Sequence, residues 1–494
     1  MQHPSARNAG SLLAAPAGWS GQPGSTRPIA LTVTQLRAIN LDQTKKRRKR
    51  IFGRGSVSGL RYNPRIQIGL SMPDGSAAAH TYRPKIATVL AEGYNLGCFR
   101  RDMLAALTVA IVALPLSMAI AVSSGVSPER GLYAAVIGGF LVSALGGSRY
   151  QIGGPAGAFI VLVAATVTKF GLDGLLLTVF ISGFMLTLIG LLRLGSLIRY
   201  IPHAVTVGFT CGIAVTIFAS QLKDLGGLKL PGVEPGSLLP KLAMLGQALP
   251  TISPAALAVG VGSAALIFVL RRMLRNWPGM LIAVALASLA AWLFHLPVET
   301  IGSHFGELPH GLPSPRFPSI SYSSVVDVLP AALSFTLLGA VESLLSAKVA
   351  DGMTGRKHRY NMEVVAQGVA NVASATFGGI SVTGTIARTA TNIRAGAVSP
   401  VSGLAHALFV LIFMLVAAPL ASFIPLSALA GVLVVVCWNM AEKEDFLRLL
   451  HEWRGASVLM ATFSLTLIED LTFGILAGCV LAAAFAVFDQ MKRW

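Results

Sequence analysis

The sequence predicts an all-α polytopic membrane protein with fourteen transmembrane segments, arranged as two inverted sets of seven. Three observations carry this. The 494 residues are 54% hydrophobic and only 12% charged, with a mean hydropathy of +0.68, whereas a soluble domain has about 25% charged residues. Fourteen apolar intervals can be read from Asp102 onward. The third and tenth of these are short or broken at their starts, so each set of seven carries the same interruption at the same place. Seven is odd, so two such sets in one chain must run in opposite directions through the bilayer.

Residues 1–82 read as a polar, low-complexity arm rich in Gly, Ser, Pro and Arg, with no sustained apolar period. Residues 1–101 hold 16 Lys/Arg against 3 Asp/Glu, a net +13 of the +18 in the whole chain. The sharpest feature is Lys45-Lys46-Arg47-Arg48-Lys49-Arg50. A nucleic-acid tail, contact with anionic lipid and solvated disorder all fit that run; the composition favours disorder, as it would if this start lay upstream of the true one. No nucleic-acid partner is expected. No apolar core follows the charges closely enough for a secretory signal. Order is expected to begin near Pro84, with residues 83–101 forming an amphipathic surface helix.

The membrane domain is expected over 102–490, with a first repeat at 102–295 and a second at 326–490. The first seven segments are 102–123, 129–146, 153–169, 174–193, 203–222, 254–270 and 279–295. The second seven are 326–350, 361–377, 384–396, 400–418, 422–440, 455–469 and 471–489. A full span needs about 20 residues, which segments three and ten lack. With the arm placed in the cytoplasm, even-numbered loops and their flanking helix ends hold fourteen Lys/Arg and odd-numbered ones six. That bias fits both termini inside a plasma or inner membrane.

The stretch Gly153-Gly154-Pro155-Ala156-Gly157-Ala158-Phe159 follows Gly146-Gly147 and precedes a continuous apolar run. Its glycines and proline stop an incoming helix, and Pro155 suits the first turn of a new one. A helix that begins inside the membrane leaves its first amides without intrahelical acceptors and carries partial positive charge there. An anion is the natural occupant; a Gly/Pro kink in a packed helix is the plainer alternative. The second half repeats the pattern: Gly378-Gly379, then Ser381-Val382-Thr383-Gly384-Thr385 and a new helix.

Charges inside spans are few, so each is a functional candidate. Glu342 lies mid-way along segment eight, with Ser346 one turn on. It is expected to carry H⁺, to help hold Na⁺, or to be a structural carboxylate. Arg388, one turn into segment ten, either adds positive charge for an anion or locks that segment to a neighbour. His203 and His406 read as packing or interface residues. Four dispersed cysteines indicate neither a disulfide framework nor a metal site. No GxSxG, HExxH, P-loop or paired-carboxylate motif is present, so an enzyme is not expected, nor any cofactor beyond a coupling ion.

These residues resemble the sulfate permease family, which includes the solute-carrier-26 anion exchangers. The resemblance covers residues 83–490. It is carried by Ser124-Gly-Val-Ser-Pro-Glu-Arg-Gly-Leu-Tyr133, Gly146-Gly-Ser-Arg-Tyr-Gln-Ile-Gly-Gly-Pro-Ala-Gly157, Ala113-Leu-Pro-Leu-Ser-Met-Ala119, Val341-Glu-Ser-Leu-Leu345 and Gly384-Thr-Ile-Ala-Arg-Thr389. It implies the seven-plus-seven fold shared with uracil permeases. In that fold a core domain (segments 1–4 and 8–11) moves against a gate domain (5–7 and 12–14), and the family is usually homodimeric. It also implies secondary transport of a small inorganic anion such as sulfate or bicarbonate, coupled to a cation. Carried over residue by residue, the substrate positions are Ser117 and Met118, then Pro155, Ala156, Gly157, Ala158 and Phe159, then Gly384, Thr385, Ile386, Ala387 and Arg388. Glu342, with Ser346, takes the coupling position.

Two features depart from the family pattern. Most members continue into a cytoplasmic STAS domain, whereas this sequence stops at Lys492-Arg493-Trp494, directly after segment fourteen. Sulfate carriers often have Gln or Glu after the segment-one proline, where this chain has Leu116; that weakens the case for sulfate in particular. An anion channel or exchanger, and a nucleobase–cation symporter of the same fold, are the alternatives.

Overall fold

The computed structural model describes residues 82–196, 202–232, 234–235, 238–273, 278–306, 309, 311–468 and 471–491. The expectations for the arm, including its basic run, lie outside the described residues.

A short helix α1 (Lys85–Ala91) comes first, and the long α2 (Leu96–Ser123) follows. The expected single surface helix over 83–101 is therefore two elements. Asn95 divides them, because its side chain accepts a bond from the backbone N–H of Cys98 (2.9 Å) and so starts a new helix at Leu96. α3 (Pro128–Tyr133) runs through a π-turn at Ala134–Gly138 into α4 (Gly139–Leu145). Then come the strand β1 (Gly153–Gly154), a 3₁₀ turn at Gly157–Phe159 and α5 (Ile160–Leu191). Segments three and four are joined in this one run, broken only at Gly171, whose φ of 69° no helical residue adopts. α6 (His203–Gly226), α7 (Leu238–Ala248), α8 (Pro254–Met273), α9 (Gly279–Leu293) and the short α10 (Ile301–Phe305) complete the first half.

The second half holds α11 (Tyr322–Thr354), α12 (Tyr360–Thr376), β2 (Thr383–Gly384), α13 (Ile386–Arg394), α14 (Val401–Ala421), α15 (Leu426–Met440), α16 (Lys443–Leu450), α17 (Trp453–Ile468) and α18 (Leu471–Met491). A helix occupies each of the fourteen expected intervals. Among the described residues, six helices are long and apolar enough to cross a membrane: Leu96–Ser123, Gly157–Leu191, His203–Gly226, Pro254–Met273, Tyr322–Thr354 and Leu426–Leu450. Gly279–Leu293, Val401–Ala417, Trp453–Ile468 and Phe473–Phe488 are shorter apolar helices.

Packing sorts the helices into two sets. In one, α5 lies against α11 and α12, α14 lies against α2 and α4, and α13 lies against α2 and α11. In the other, α6 lies against α15 and α17, α8 against α15, and α17 against α18. Small residues let the helices approach closely. A Cβ on Gly183 or Gly368 would fall within 2.7 Å of the facing α12 or α5 backbone, the small-residue packing that replaces hydrophobic driving force between membrane helices.

Candidate functional site

The site is built from two interrupted stretches that meet. Gly146 leaves α4 with extended backbone angles (φ −62°, ψ 156°). The buried carboxylate of Glu363 then accepts the N–H groups of Gly147 (2.8 Å) and Ser148 (2.9 Å), satisfying the chain where the helix stops. In the second half the side chain of Asn371 does comparable work. Its Nδ2 donates to Val382 O (2.7 Å) and its Oδ1 accepts from Val382 N (2.9 Å). The two stretches then pair as a minimal antiparallel ladder, Gly153 opposite Gly384 and Gly154 opposite Thr383. Thr385 N donates to Ile152 O at 3.2 Å.

This crossing demands glycine at two positions. A Cβ on Gly384 would lie 1.6 Å from Gln151 Nε2, and one on Gly154 would lie 1.9 Å from Arg388 Nη1. Immediately beyond the ladder, two helices begin. Ala156 and Thr385 are extended and give their helices no side-chain cap. Two helix starts with uncapped amides therefore flank one ladder.

Arg388 closes the site from behind. It is 2% exposed. Its Nη2 donates to Ser117 Oγ (3.2 Å) and to Pro155 O (3.1 Å), while Nε and Nη1 are buried without partners. The guanidinium thus ties α2, the Pro155 turn and α13 together, yet keeps two buried donors unsatisfied. Ser117 Oγ donates in turn to Ala113 O (2.6 Å). The lock and the anion charge, the two roles the sequence allows Arg388, both find support in this one side chain.

The remaining expected positions divide into a lining and a rim. Ser117, Met118, Pro155, Ala156, Ala158, Phe159, Gly384 and Thr385 are buried, Gly157 and Ile386 are half-buried, and Ala387 is exposed. Phe159 packs its ring against Phe335, with centroids 5.5 Å apart. Gly157 faces Ile217 of α6, whose Cδ1 lies 3.7 Å from where a Cβ would be. Of the three less buried positions, Gly157 therefore lies against the second helix set.

Glu342 and Ser346 stand one turn apart on α11, but their side chains do not share a partner. Ser346 is fully buried and its Oγ donates to Thr389 Oγ1 (3.2 Å). Glu342 is half-buried and, among the described residues, makes no hydrogen bond or ion pair. Glu342 remains an available carboxylate; Ser346 is already committed to α13. His203 faces Asp445 (3.5 Å), and His406 is buried with both ring nitrogens unpartnered.

Besides Glu363 and Asn371, sequence reasoning missed three further residues that hold the site. Gln151 Nε2 donates to Ser343 O and Oγ, joining the first break to α11. Thr389 Oγ1 accepts from Ile152 N (3.2 Å). Asp102 is fully buried at the start of segment one. It accepts from Val398 N (2.7 Å), Ser399 N (3.2 Å), Ser399 Oγ (2.5 Å) and Tyr94 OH (2.8 Å). It fixes the turn between α13 and α14. A charge at the edge of an apolar run was its sole signal, and such charges usually face solvent.

Apolar helices around two broken helix starts define a polytopic membrane transport protein. The chain belongs to the sulfate permease family, whose profile matches residues 99–462. It is 44% identical over 399 residues to the putative sulfate transporter YvdB of Bacillus subtilis strain 168, covering 80% of this chain and 75% of that one. It is 31% identical over 400 residues to the bicarbonate transporter BicA of Picosynechococcus, covering 78% and 70%. Among solved structures, the transmembrane domain of a cyanobacterial BicA superposes with a TM-score of 0.69 at 28% identity, over 77% of this chain and 98% of that one. Murine Slc26a9 in its inward-facing state gives 0.76 at 18% identity, over 89% and 77%, a likeness of fold. These relatives are transporters and not enzymes.

Proposed function

We propose that the chain is a secondary active transporter of a small inorganic anion, sulfate or bicarbonate, in the plasma or inner membrane. The observation that carries this is the pair of uncapped helix starts held side by side by the Gly153–Gly384 ladder, with the unsatisfied Nε and Nη1 of Arg388 buried beside them. The relatives named for sulfate and for bicarbonate transport support the substrate class. The anion lies between the amides near Gly157 and Ile386, reached from the rim at Ala387.

In this reading the fourteen helices span as seven plus seven inverted repeats with both termini cytoplasmic. The set containing the ladder is the core, and the set around α6, α15 and α17 is the gate. The core slides against the gate in elevator-like alternating access. Glu342 holds the coupling H⁺ or Na⁺, its free carboxylate being the support; Ser346 acts through Thr389. The chain works as a homodimer.

The test is uptake of labelled sulfate and of labelled bicarbonate into proteoliposomes, with Na⁺ and pH gradients varied separately. Saturable uptake of one anion that follows a cation gradient is expected. Large single-channel currents would make it a channel. Uptake of a nucleobase and of neither anion would overturn the anion reading.

A further inference from the structure

A second group of cations lies away from the ladder, where α1 docks on the Gly146–Arg149 loop. Lys85 N donates to Gly146 O (2.9 Å), and Arg359 N donates to Gly147 O (3.1 Å). Arg149, 8% exposed, is neutralised by Glu92, both of whose oxygens lie 2.5 Å from its Nη2. The other three cations have no such partner. Arg83 Nη2 donates to Ala87 O (3.1 Å), Lys85 Nζ to Lys357 O (3.1 Å) and Arg359 Nη1 to Arg83 O (2.6 Å). All three acceptors are neutral carbonyls, and among the described residues none of these cations meets a carboxylate. Arg359 also keeps a buried, unpartnered Nε.

The cost of this crowding shows at Lys85. Burial pushes its amine down to about 8, and the charges of Arg359 and Arg149 push the same way; Glu92 and Asp351 offset this only in part. On α1 itself and at the start of α2, Leu90, Leu96 and Phe99 are exposed. Uncompensated positive charge beside exposed apolar side chains is the pattern of a membrane-surface helix over anionic lipid.

We propose that Arg83, Lys85 and Arg359 bind the phosphate of an anionic phospholipid headgroup, with Leu90, Leu96 and Phe99 in the acyl boundary. The headgroup supplies the missing negative charge and presses α1 onto the loop that leads into Gly153. Lipid composition therefore bears on the geometry of the helix starts, whatever anion is carried there.

The test is native mass spectrometry of the full chain with phosphatidylglycerol against phosphatidylcholine. The wild type is expected to retain phosphatidylglycerol selectively. Lys85→Gln/Arg359→Gln is expected to lose that selectivity by about fivefold per charge removed, whereas Lys169→Gln keeps it. Equal retention by the double variant, or displacement of phosphatidylglycerol by inorganic phosphate at equal concentration, would overturn the proposal. If the double variant does not fold, acetylation of wild-type Lys85 decides. Slower labelling in phosphatidylglycerol than in phosphatidylcholine vesicles supports the site, and equal rates refute it.

Discussion

Replacing Arg388 by Gln tests whether its charge or its ties matter more. Gln removes the positive charge and the unsatisfied Nε and Nη1, and its amide, two bonds shorter, stops short of Ser117 Oγ and Pro155 O. A hydrogen bond to a charged group is worth about 1.5–3 kcal/mol. The loss therefore corresponds to about ten- to a hundredfold in affinity. Folding should suffer less, because the Gly153–Gly384 ladder still joins the two stretches and Ser117 Oγ still donates to Ala113 O. The assay is equilibrium binding of labelled sulfate and bicarbonate to purified protein, beside thermal unfolding of the same sample. A tenfold or greater loss of binding with a small shift in Tm is expected. Unchanged affinity for every anion, together with a marked fall in Tm, would show that Arg388 only ties helices, and the reasoning about the buried donors would fail.

Further expectations follow from other positions. Gly384→Ala drives a Cβ into Gln151, and overpacking of this kind costs about 1–3 kcal/mol. It should lower Tm and anion binding together, whereas Gly157→Ala, with its nearest neighbour at 3.7 Å, should fold normally; equal Tm values would refute the close approach. Glu342→Gln should bind anion yet fail to accumulate it against a gradient. An inside-negative potential opposes anion entry by about 2.3 kcal/mol per charge per 100 mV, so undiminished accumulation would remove Glu342 from coupling. Deleting residues 1–80 should leave insertion and transport intact, as measured by uptake; loss of folded protein would refute that. Lys85, at about 8 in the fold against an ordinary 10.5, carries a charge the fold disfavours. That cost is full below pH 8 and fades as pH rises toward 10.5, so Lys85 should acetylate faster at pH 8 than Lys229; equal rates would refute the depressed value.

The helices were legible because apolar runs bounded by Gly, Pro and charge are a one-dimensional signal. The break at Gly153 was legible for the same reason, and so was its partner at Gly384, since both announce themselves in local composition. What stayed hidden is long-range. Nothing near Asp102 reveals that Ser399, almost three hundred residues later, will wrap its carboxylate. Nothing near Glu363 shows that Gly147 and Ser148 need its oxygens. The boundary at Asn95 was missed because a cap is a single side chain, easily lost inside a stretch of mixed polarity. Helical spacing puts Ser346 one turn from Glu342, but spacing cannot see that its hydroxyl also reaches Thr389.

The ladder between Gly153–Gly154 and Thr383–Gly384 is made of main chain, and so are the uncapped amides beside it. Most substitutions reshape what surrounds such groups without deleting them; proline, or a Cβ at Gly154 or Gly384, is what breaks them. On the proposed reading, the means of holding negative charge therefore hangs on a few backbone positions, and the side chains at the half-buried and exposed Gly157, Ile386 and Ala387 are the ones whose exchange would alter which oxyanion is held.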